Sequence, residues 1–244
     1  MLLVGDLHGR KAVLDALVAT QHQLVFLGDF LDAYEKSATR AAQIECIDIV
    51  RDLHSQGRAR FVRGNHDWSY DSRCQGWASG YAKGTWDDLG PSRRLWLREN
   101  DEHVITLEPD IVISHAGITA PIWDGLGLTH ETVVEEAHAA VAPGTQATWF
   151  FAIGRARRGM QRVGGPLWCD WDNEFEPVQG IRQVTGHTRL YFEEPMATKF
   201  KDFFVGDVLR CSPNGDWNID CLGVKPVVLE YDNGELRPYH LTVS

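Results

Sequence analysis

The first quarter of the chain alternates short apolar runs with segments whose apolar residues recur at helical spacing. In residues 11–20, for example, Val13, Leu14, Leu17 and Val18 fall on one helical face. The predicted order is strand 2–5, helix 11–20, strand 24–27, a helix from Ser37 or Thr39 to Gly57, and strand 60–63. This β-α-β-α-β order predicts a partly parallel sheet with helices packed on it.

The middle of the chain is less regular. Residues 68–100 contain four tryptophans interspersed with glycines, which predicts a cap-like segment of loops and short helices that ends in a helix over 92–100. Two further helices are predicted near 130–141 and 146–158. The later strands are predicted at 104–107, 111–114, 181–185, 202–205, 217–221, 226–231 and 235–240. The pattern predicts one domain, residues 1–244, of the α/β (α+β) class, with two packed mixed sheets flanked by helices.

Composition narrows the classes of function. The 244 residues carry a formal net charge of −10, which argues against binding long nucleic acid through its phosphates. No apolar run reaches 18 residues, so no membrane span is expected. The N-terminus lacks the pattern of a signal peptide, and the five cysteines include no CxxC pair. We therefore expect a cytoplasmic protein with reduced thiols, with a Cys211–Cys221 disulfide as the alternative; the oligomeric state stays open.

Five predicted strands end in clusters that combine glycine with aspartate, histidine or asparagine. The first three clusters read GDLHG at 5–9, GDFLD at 28–32 and GNHD at 64–67. The last two read SHAG at 114–117 and GHT at 186–188. Because ligands bind at the carboxyl ends of parallel strands, we expect the five clusters to meet on one rim.

The residue types in these clusters suit a metal centre. Asp6 and His8 are two positions apart on an extended segment, so their side chains point to the same side. Carboxylate, imidazole and amide oxygen together favour Mn²⁺, Fe or Zn²⁺ over a structural thiolate site. Two such cations side by side can clamp a phosphoryl group and polarise a shared water.

Taken in order, the five clusters resemble the motif set of the calcineurin-like metallophosphoesterases. The resemblance spans residues 5–188 and is nearest to the phosphoprotein-phosphatase type, which includes bacterial and phage serine/threonine phosphatases and symmetrical diadenosine tetraphosphate hydrolases. It implies a four-layer sandwich, two divalent metal ions and hydrolysis of phosphate esters by a metal-bound hydroxide. Mn²⁺ is the preferred ion, with Fe, Zn²⁺ and Mg²⁺ as alternatives.

The resemblance also implies a role for each matched residue. His66 would be the general acid that protonates the leaving oxygen, and Asp32 would orient its imidazole. The implied metal ligands are Asp6 and His8 for the first metal, Asp29 as the bridge, and Asn65, His115 and His187 for the second metal.

The second cluster departs from the family pattern. The family continues Asp-Arg-Gly, where the arginine grips phosphate, whereas Asp32 is followed here by Ala33 and Tyr34. Either another arginine substitutes, or the substrate is not a simple phosphate monoester. Family members carry a phosphate-gripping arginine between the two late histidine clusters, and an arginine also precedes the third cluster. The predicted substrate-binding residues are therefore Arg63, Arg155, Arg157 and Arg158.

These observations predict a dinuclear-metal-dependent phosphoesterase, of the phosphomonoesterase or protein-phosphatase kind. Its substrate would be a phosphate ester of a small molecule, a nucleotide or a phosphoprotein. A dinucleoside polyphosphate hydrolase or phosphodiesterase is the first alternative, because it would explain the missing arginine. A metal-binding interaction module without catalysis is the second, and the intact Asp32–His66 pair argues against it.

Overall fold

The helices and strands are taken from a computed structural model that describes residues 1–33, 38–72, 78–145, 148–189, 203–205, 209–220 and 226–243. The helices are α1 (Lys11–Ala19), α2 (Arg40–Ser55), α3 (Asn65–Trp68), α4 (Lys83–Asn100), α5 (Ala120–Leu126) and α6 (Val133–Val141). The strands are β1 (Leu2–Val4), β2 (Leu24–Phe26), β3 (Ala59–Phe61), β4 (Ile105–Leu107), β5 (Ile111–Ile113), β6 (Arg182–Thr185), β7 (Phe203–Val205), β8 (Leu209–Cys211), β9 (Trp217–Ile219), β10 (Val227–Asp232) and β11 (Glu235–His240).

The strands form two mixed sheets. The first sheet has the order β11-β10-β1-β2-β3; β1, β2 and β3 run parallel, and β10 and β11 pair antiparallel. The second sheet has the order β4-β5-β6-β9-β8-β7, in which β5, β6 and β9 run parallel and the other pairs are antiparallel. The predicted pair of mixed sheets is confirmed.

The side chains of β5 show how the layers stack. Ile111 and Ile113 belong to the large core, which also contains residues of the first sheet and Leu14 of α1. Val112, between them, belongs to a smaller core with residues of α5 and α6 such as Trp123. Because successive strand residues point to opposite faces, the second sheet packs on the first sheet with one face and on helices with the other.

Some local elements differ from the predicted ones. The helix predicted over 146–158 is wrong, because its described part consists of turns and a 3₁₀ turn at Arg155–Arg157. Tertiary contacts explain the difference, since the N–H of Ala156 donates to Oε1 of Glu174 at 2.8 Å and a Cβ on Gly154 would lie 2.1 Å from Oε2 of the same glutamate. Helix α5 was not predicted; it buries only Trp123 and therefore lacks an apolar stripe.

Other predicted elements differ from the structure in their bounds or were missed. The helix predicted over 92–100 is the second part of α4, which is interrupted at Gly90, where φ is 62°. Strand β8 was missed because its middle residue is Arg210, so the strand shows no apolar run of the kind that marks β1 and β2. Cys46 and Cys169 are free thiols, whereas Cys74 and Cys221, and with Cys221 the alternative disulfide, lie outside the described residues. None of the helices in the described ranges combines the length and the apolar character that a membrane crossing requires.

The ends of the parallel strands meet where the two sheets pack together. A Cβ on Gly5 would lie 2.3 Å from the carbonyl oxygen of Ile219, so the chain leaving β1 runs directly against the end of β9. The backbone N–H of Gly186, which follows β6, donates to the carbonyl oxygen of His115, which follows β5, at 2.7 Å. These close approaches bring the polar clusters of both sheets to one place.

Candidate metal centre

The six predicted metal ligands lie together in one cluster at the ends of β1, β2, β5 and β6 and at the start of α3. Five of them are at most 5% exposed, and His187 is partly exposed. Buried polar side chains at this density need partners, because an unpaired polar group in the interior is costly. The contacts within the cluster decide what partner it accepts.

The His115 imidazole presents a lone pair to the centre of the cluster. Its Nδ1 donates to the carbonyl oxygen of Leu27 at 2.8 Å, which leaves Nε2 unprotonated in the neutral ring. That Nε2 lies 3.0 Å from Oδ1 of Asn65 and 3.4 Å from Oδ2 of Asp29. Three lone-pair atoms therefore face one another with no hydrogen between them, and a cation satisfies all three at once.

The His8 imidazole is arranged in the same way on the other side of Asp29. Its Nδ1 donates to the carbonyl oxygen of Leu31 at 2.7 Å. Its Nε2 lies 3.7 Å from Oδ2 of Asp29 and 3.9 Å from Oδ2 of Asp6. Asp29 therefore offers the same carboxylate oxygen to histidines from two different strands.

Two groups of donor atoms result, and both contain Asp29. His8, Asp29 and His66 form one group, and Asp29, His115 and His187 form the other; the atoms within each group lie within 4.8 Å of one another. Nδ1 of His187 faces the second group, at 2.9 Å from Oδ1 of Asn65 and 3.2 Å from Nε2 of His115. This donor set of imidazole nitrogens and carboxylate oxygens fits divalent transition metals.

Burial shifts the pKa values of the cluster toward the neutral forms of its carboxyl and imidazole groups. It raises the pKa of Asp6 to about 8 and that of Asp29 well above its usual value. It lowers the pKa of His8 and of His115 to about 3, so both imidazoles are neutral at physiological pH and can act as ligands. A bound cation would offset the cost of burying the carboxylates in their charged form.

The backbone around the cluster adopts rare conformations. His8, Asp29, Asp32 and His187 all have positive φ, at 45°, 51°, 59° and 68°. Side chains other than glycine pay for this left-handed region, which is found mainly where function requires it. The strained positions are thus four of the residues that the motifs single out.

Hydrogen bonds from backbone N–H groups hold the two carboxylates in place. Oδ1 of Asp29 accepts from the N–H of His66 at 2.9 Å, and Asp6 accepts from the N–H of His187 at 3.0 and 3.1 Å. Asp67 is also buried and accepts from the N–H groups of Phe30 and Gly64, both at 3.0 Å. Asp67 therefore ties the second cluster to the third, a role that its position in the sequence did not reveal.

His66 and Asp32 are paired as the motifs predict. Nδ1 of His66 donates to Oδ2 of Asp32 at 3.0 Å, and the His66 ring lies 5.1 Å from the His8 ring. Nδ1 is thereby engaged, so a proton exchanged with a substrate would pass through the opposite nitrogen, Nε2. His66 also falls within the first group of donor atoms, so its position alone suits either a ligand or an acid.

Arg63 lies in a buried ion network rather than on an open surface. Its guanidinium is 1% exposed, donates to Asp101 and to Asp71, both at 2.8 Å, and stacks 3.7 Å above the Trp68 ring. Burial alone would raise the pKa of Asp101, but Arg63 and His103 lower it well below its usual value. This placement is not evidence for the predicted contact between Arg63 and substrate. Arg63 instead packs against the buried side of α3 and helps to hold that helix in place.

The three clustered arginines have different surroundings. Arg155 and Arg158 are exposed, whereas Arg157 is partly buried. Nη2 of Arg157 donates to Oγ1 of Thr188 at 3.1 Å, and Nε lies 3.0 Å from Oδ2 of Asp170. Thr188 directly follows the predicted ligand His187, so Arg157 is the member of the group that lies beside the candidate centre.

Arg189 was missed by the sequence reasoning. It is half-buried, and its positive charge acts on both Asp6 and His8, where it partly opposes the rise that burial gives the pKa of Asp6 and adds to the fall that burial gives the pKa of His8. Arg157 in the same way lowers the pKa of His115 and His187, in the second group. The signal that would have found Arg189 is its position directly after the GHT cluster.

Comparison with known proteins agrees with this geometry. A model of the calcineurin-like phosphoesterase family matches residues 1–188. Among curated proteins, none matches the sequence significantly. The solved structure of a cold-active protein-tyrosine phosphatase from a psychrophilic Shewanella species is 18% identical, with a TM-score of 0.61 over 99% of this chain and 80% of that chain. A further cold-active protein tyrosine phosphatase structure is 16% identical, with a TM-score of 0.59 over 98% and 77%. These likenesses show a shared fold.

Gly186→Ala should weaken metal binding without unfolding the protein. A Cβ at this position would lie 2.3 Å from Oδ1 of Asp6, so the carboxylate must move. We expect metal affinity to fall on the order of 10-fold, as is usual when the support of a ligand is disturbed. Metal content after dialysis, measured by mass spectrometry, checks this. Gly125→Ala, in α5 with no atom within 4 Å of the new Cβ, is the matched control. Equal metal content in the two variants would contradict the assignment of Asp6.

Proposed function

We propose that this chain, which belongs to the calcineurin-like phosphoesterase family, hydrolyses phosphate monoesters at a pair of divalent metal ions. The family and the buried donor atoms make the chain a metal-dependent phosphoesterase. The pair of metals, the substrate class and the roles of individual residues are our proposal. Within the family we assign the chain to the phosphoprotein-phosphatase type, because its five clusters in order resemble the motifs of that type.

One observation carries the proposal, namely that two groups of donor atoms share Asp29. A single mononuclear site would not require a carboxylate that faces His8 at 3.7 Å and His115 at 3.4 Å with the same oxygen. We assign Asp6, His8 and Asp29 to one ion and Asp29, Asn65, His115 and His187 to the other. Bound there, the ions would supply a nucleophile at neutral pH and positive charge for the phosphoryl oxygens.

We assign proton transfer to His66. Asp32 accepts the hydrogen of Nδ1, which keeps the imidazole in a fixed orientation. Nε2 then gives a proton to the leaving oxygen as the bond between phosphorus and oxygen breaks. Because the ring of His66 lies 5.1 Å from that of His8, this proton is delivered next to the phosphoryl group.

We assign phosphate binding to Arg157 and Arg189. Arg157 acts electrostatically on the second group of donors and Arg189 on the first. Two guanidinium groups on either side of the phosphoryl oxygens would offset the absence of arginine at Ala33. This supports a dianionic monoester as the substrate, because its terminal oxygens outnumber those of a diester.

Ala33 favours one alternative, a dinucleoside polyphosphate hydrolase or a phosphodiesterase. Its side chain is a methyl group, so the family's guanidinium at this position is absent. Tyr34, the next residue in the sequence, belongs to residues 34–37, which lie outside the described residues. A substrate panel with Mn²⁺ separates the two functions: an aryl monoester, an aryl diester, a phosphopeptide and a dinucleoside polyphosphate. The highest kcat/KM for the diester or the dinucleotide would overturn the monoester proposal.

Removal of metal should abolish hydrolysis of every substrate in the panel. Chelation removes the ions that supply the positive charge for the proposed chemistry, and added Mn²⁺ should restore turnover. Titration of the stripped protein with Mn²⁺, followed by activity and by bound metal, checks both the dependence and the pairing of the ions. Sustained turnover in metal-free protein would exclude the proposed function. Full activity with one bound ion per chain would exclude the dinuclear form.

His66→Ala should lower turnover far more than metal content. Loss of a general acid typically reduces the rate by roughly 10²–10⁴-fold. The loss should be large for phenyl phosphate, whose leaving group needs a proton, and much smaller for 4-nitrophenyl phosphate. Rates on both esters, together with bound metal, test this. If metal content falls in parallel with activity, His66 is a ligand and not the acid.

Arg157→Ala should reduce kcat/KM for a phosphate monoester, whereas Arg155→Ala should not. Hydrogen bonds to a charged group are worth enough to lower kcat/KM on the order of 10- to 100-fold when one partner is removed. Arg155 is exposed in the same short turn and is therefore a matched control. Steady-state kinetics on 4-nitrophenyl phosphate decide between them, and equal effects of the two substitutions would reject Arg157 as the phosphate contact.

A further inference from the structure

Tyr70 lies directly behind the Asp32–His66 pair. It is 1% exposed, and its hydroxyl oxygen lies 2.5 Å from Oδ1 of Asp32. The other carboxylate oxygen of Asp32, Oδ2, accepts from Nδ1 of His66 at 3.0 Å. Each carboxylate oxygen of Asp32 therefore has its own hydrogen-bond partner. Tyr70 itself lies outside the five clusters that the sequence singled out.

The direction of the Tyr70 hydrogen bond follows from its second contact. The backbone N–H of Ala82 donates to the same phenol oxygen at 3.0 Å. While that oxygen accepts from Ala82, the phenol hydrogen points at Asp32, whose carboxylate oxygen is the acceptor. Burial and the bond to Asp32 both raise the pKa of Tyr70 above its usual value, so the phenol stays a donor.

The segment 78–82 closes over this side of the pair. Ala78 donates its backbone N–H to Oγ of Ser69 at 2.7 Å, and the Tyr81 ring packs 4.9 Å from the Tyr70 ring. Gly80, at φ 103°, passes so close that a Cβ there would lie 3.1 Å from Cβ of Asp32. Asp32 is only 5% exposed as a result. Little water reaches the carboxylate, so protein donors must satisfy it.

We infer that Tyr70 is a positioning residue for proton transfer, which holds the Asp32 carboxylate so that its other oxygen fixes the His66 imidazole. The inference rests on the role of His66 as the acid given above. A carboxylate with one donor can rotate about its terminal torsion, which is broad and two-fold. A donor on each oxygen removes that freedom and aims Nε2 of His66 at the leaving oxygen. Tyr70, Asp32 and His66 thus form one chain of hydrogen bonds.

A double-mutant cycle tests whether Tyr70 acts through His66. The four proteins are the unmodified chain, Tyr70→Phe, His66→Ala and the double variant, each loaded with Mn²⁺. Tyr70→Phe should lower kcat/KM for phenyl phosphate by ~10-fold or more, the usual loss when a supporting hydrogen bond is removed. It should have less effect on 4-nitrophenyl phosphate. In the His66→Ala protein, the same substitution should change kcat/KM by less than about 2-fold, because the two effects are coupled.

Two controls separate this role from general damage to the fold. Tyr81→Phe removes a hydroxyl from the ring packed on Tyr70 and should leave the ratio of rates on the two esters unchanged. Bound metal and thermal unfolding of every variant show whether the centre and the fold are intact. A purely structural role would lower both esters equally and in both His66 backgrounds. That additive result, or an unchanged rate in Tyr70→Phe, would overturn the inference.

Failure of the inference is distinguishable from failure of the proposed function. If His66→Ala alone loses metal, or affects both esters equally, the assignment of His66 as acid is wrong. The role of Tyr70 alone is wrong in a different case. His66→Ala then keeps its metal and mainly slows phenyl phosphate, but Tyr70→Phe lowers kcat/KM by the same factor with and without His66. Each outcome of the cycle therefore supports or rejects one of the two statements.

Discussion

Buried lone pairs that face one another without a hydrogen between them are the constraint on which this structure depends. Nε2 of His115, Oδ1 of Asn65 and Oδ2 of Asp29 point at one spot, and His8 presents its Nε2 to the same Asp29 oxygen from the other side. Such atoms repel one another unless a cation lies among them. The fold must hold these atoms together against their repulsion. A bound metal ion relieves the repulsion, and this relief contributes to the free energy of metal binding.

The loop after β2 holds several of these donor atoms in position. Its carbonyl groups at Leu27 and Leu31 accept from Nδ1 of His115 and of His8, which come from different sheets. One loop therefore sets the tautomer of an imidazole on each side of Asp29, which it also contains. The N–H of His66 holds the other oxygen of Asp29, so α3 is locked to the same loop. Arg63 and its two carboxylates support α3 from the buried side.

The fold was predictable where local periodicity is strong and uncertain where packing replaces it. Helices α1 and α2 and strands β1 to β3 follow from apolar spacing, because each buries one face or both against the large core. The segment around Gly154 is predicted to be helical but turns, since the side chain of Glu174 leaves no room for a Cβ at Gly154. Tertiary crowding of this kind has no signature in a single sequence.

The candidate ligands could be named from the sequence alone, because each stands within a few residues of the end of an apolar strand, and the family model matches residues 1–188, which contain them all. What only the tertiary structure decided are the partners of those residues. Asp32 meets Tyr70, and Arg63 meets Asp101, each across 38 positions of the chain. Arg157 reaches Thr188 across 31. Contacts between such distant segments leave no periodic pattern, since the folding of both sheets, and not the neighbouring residues, brings them together.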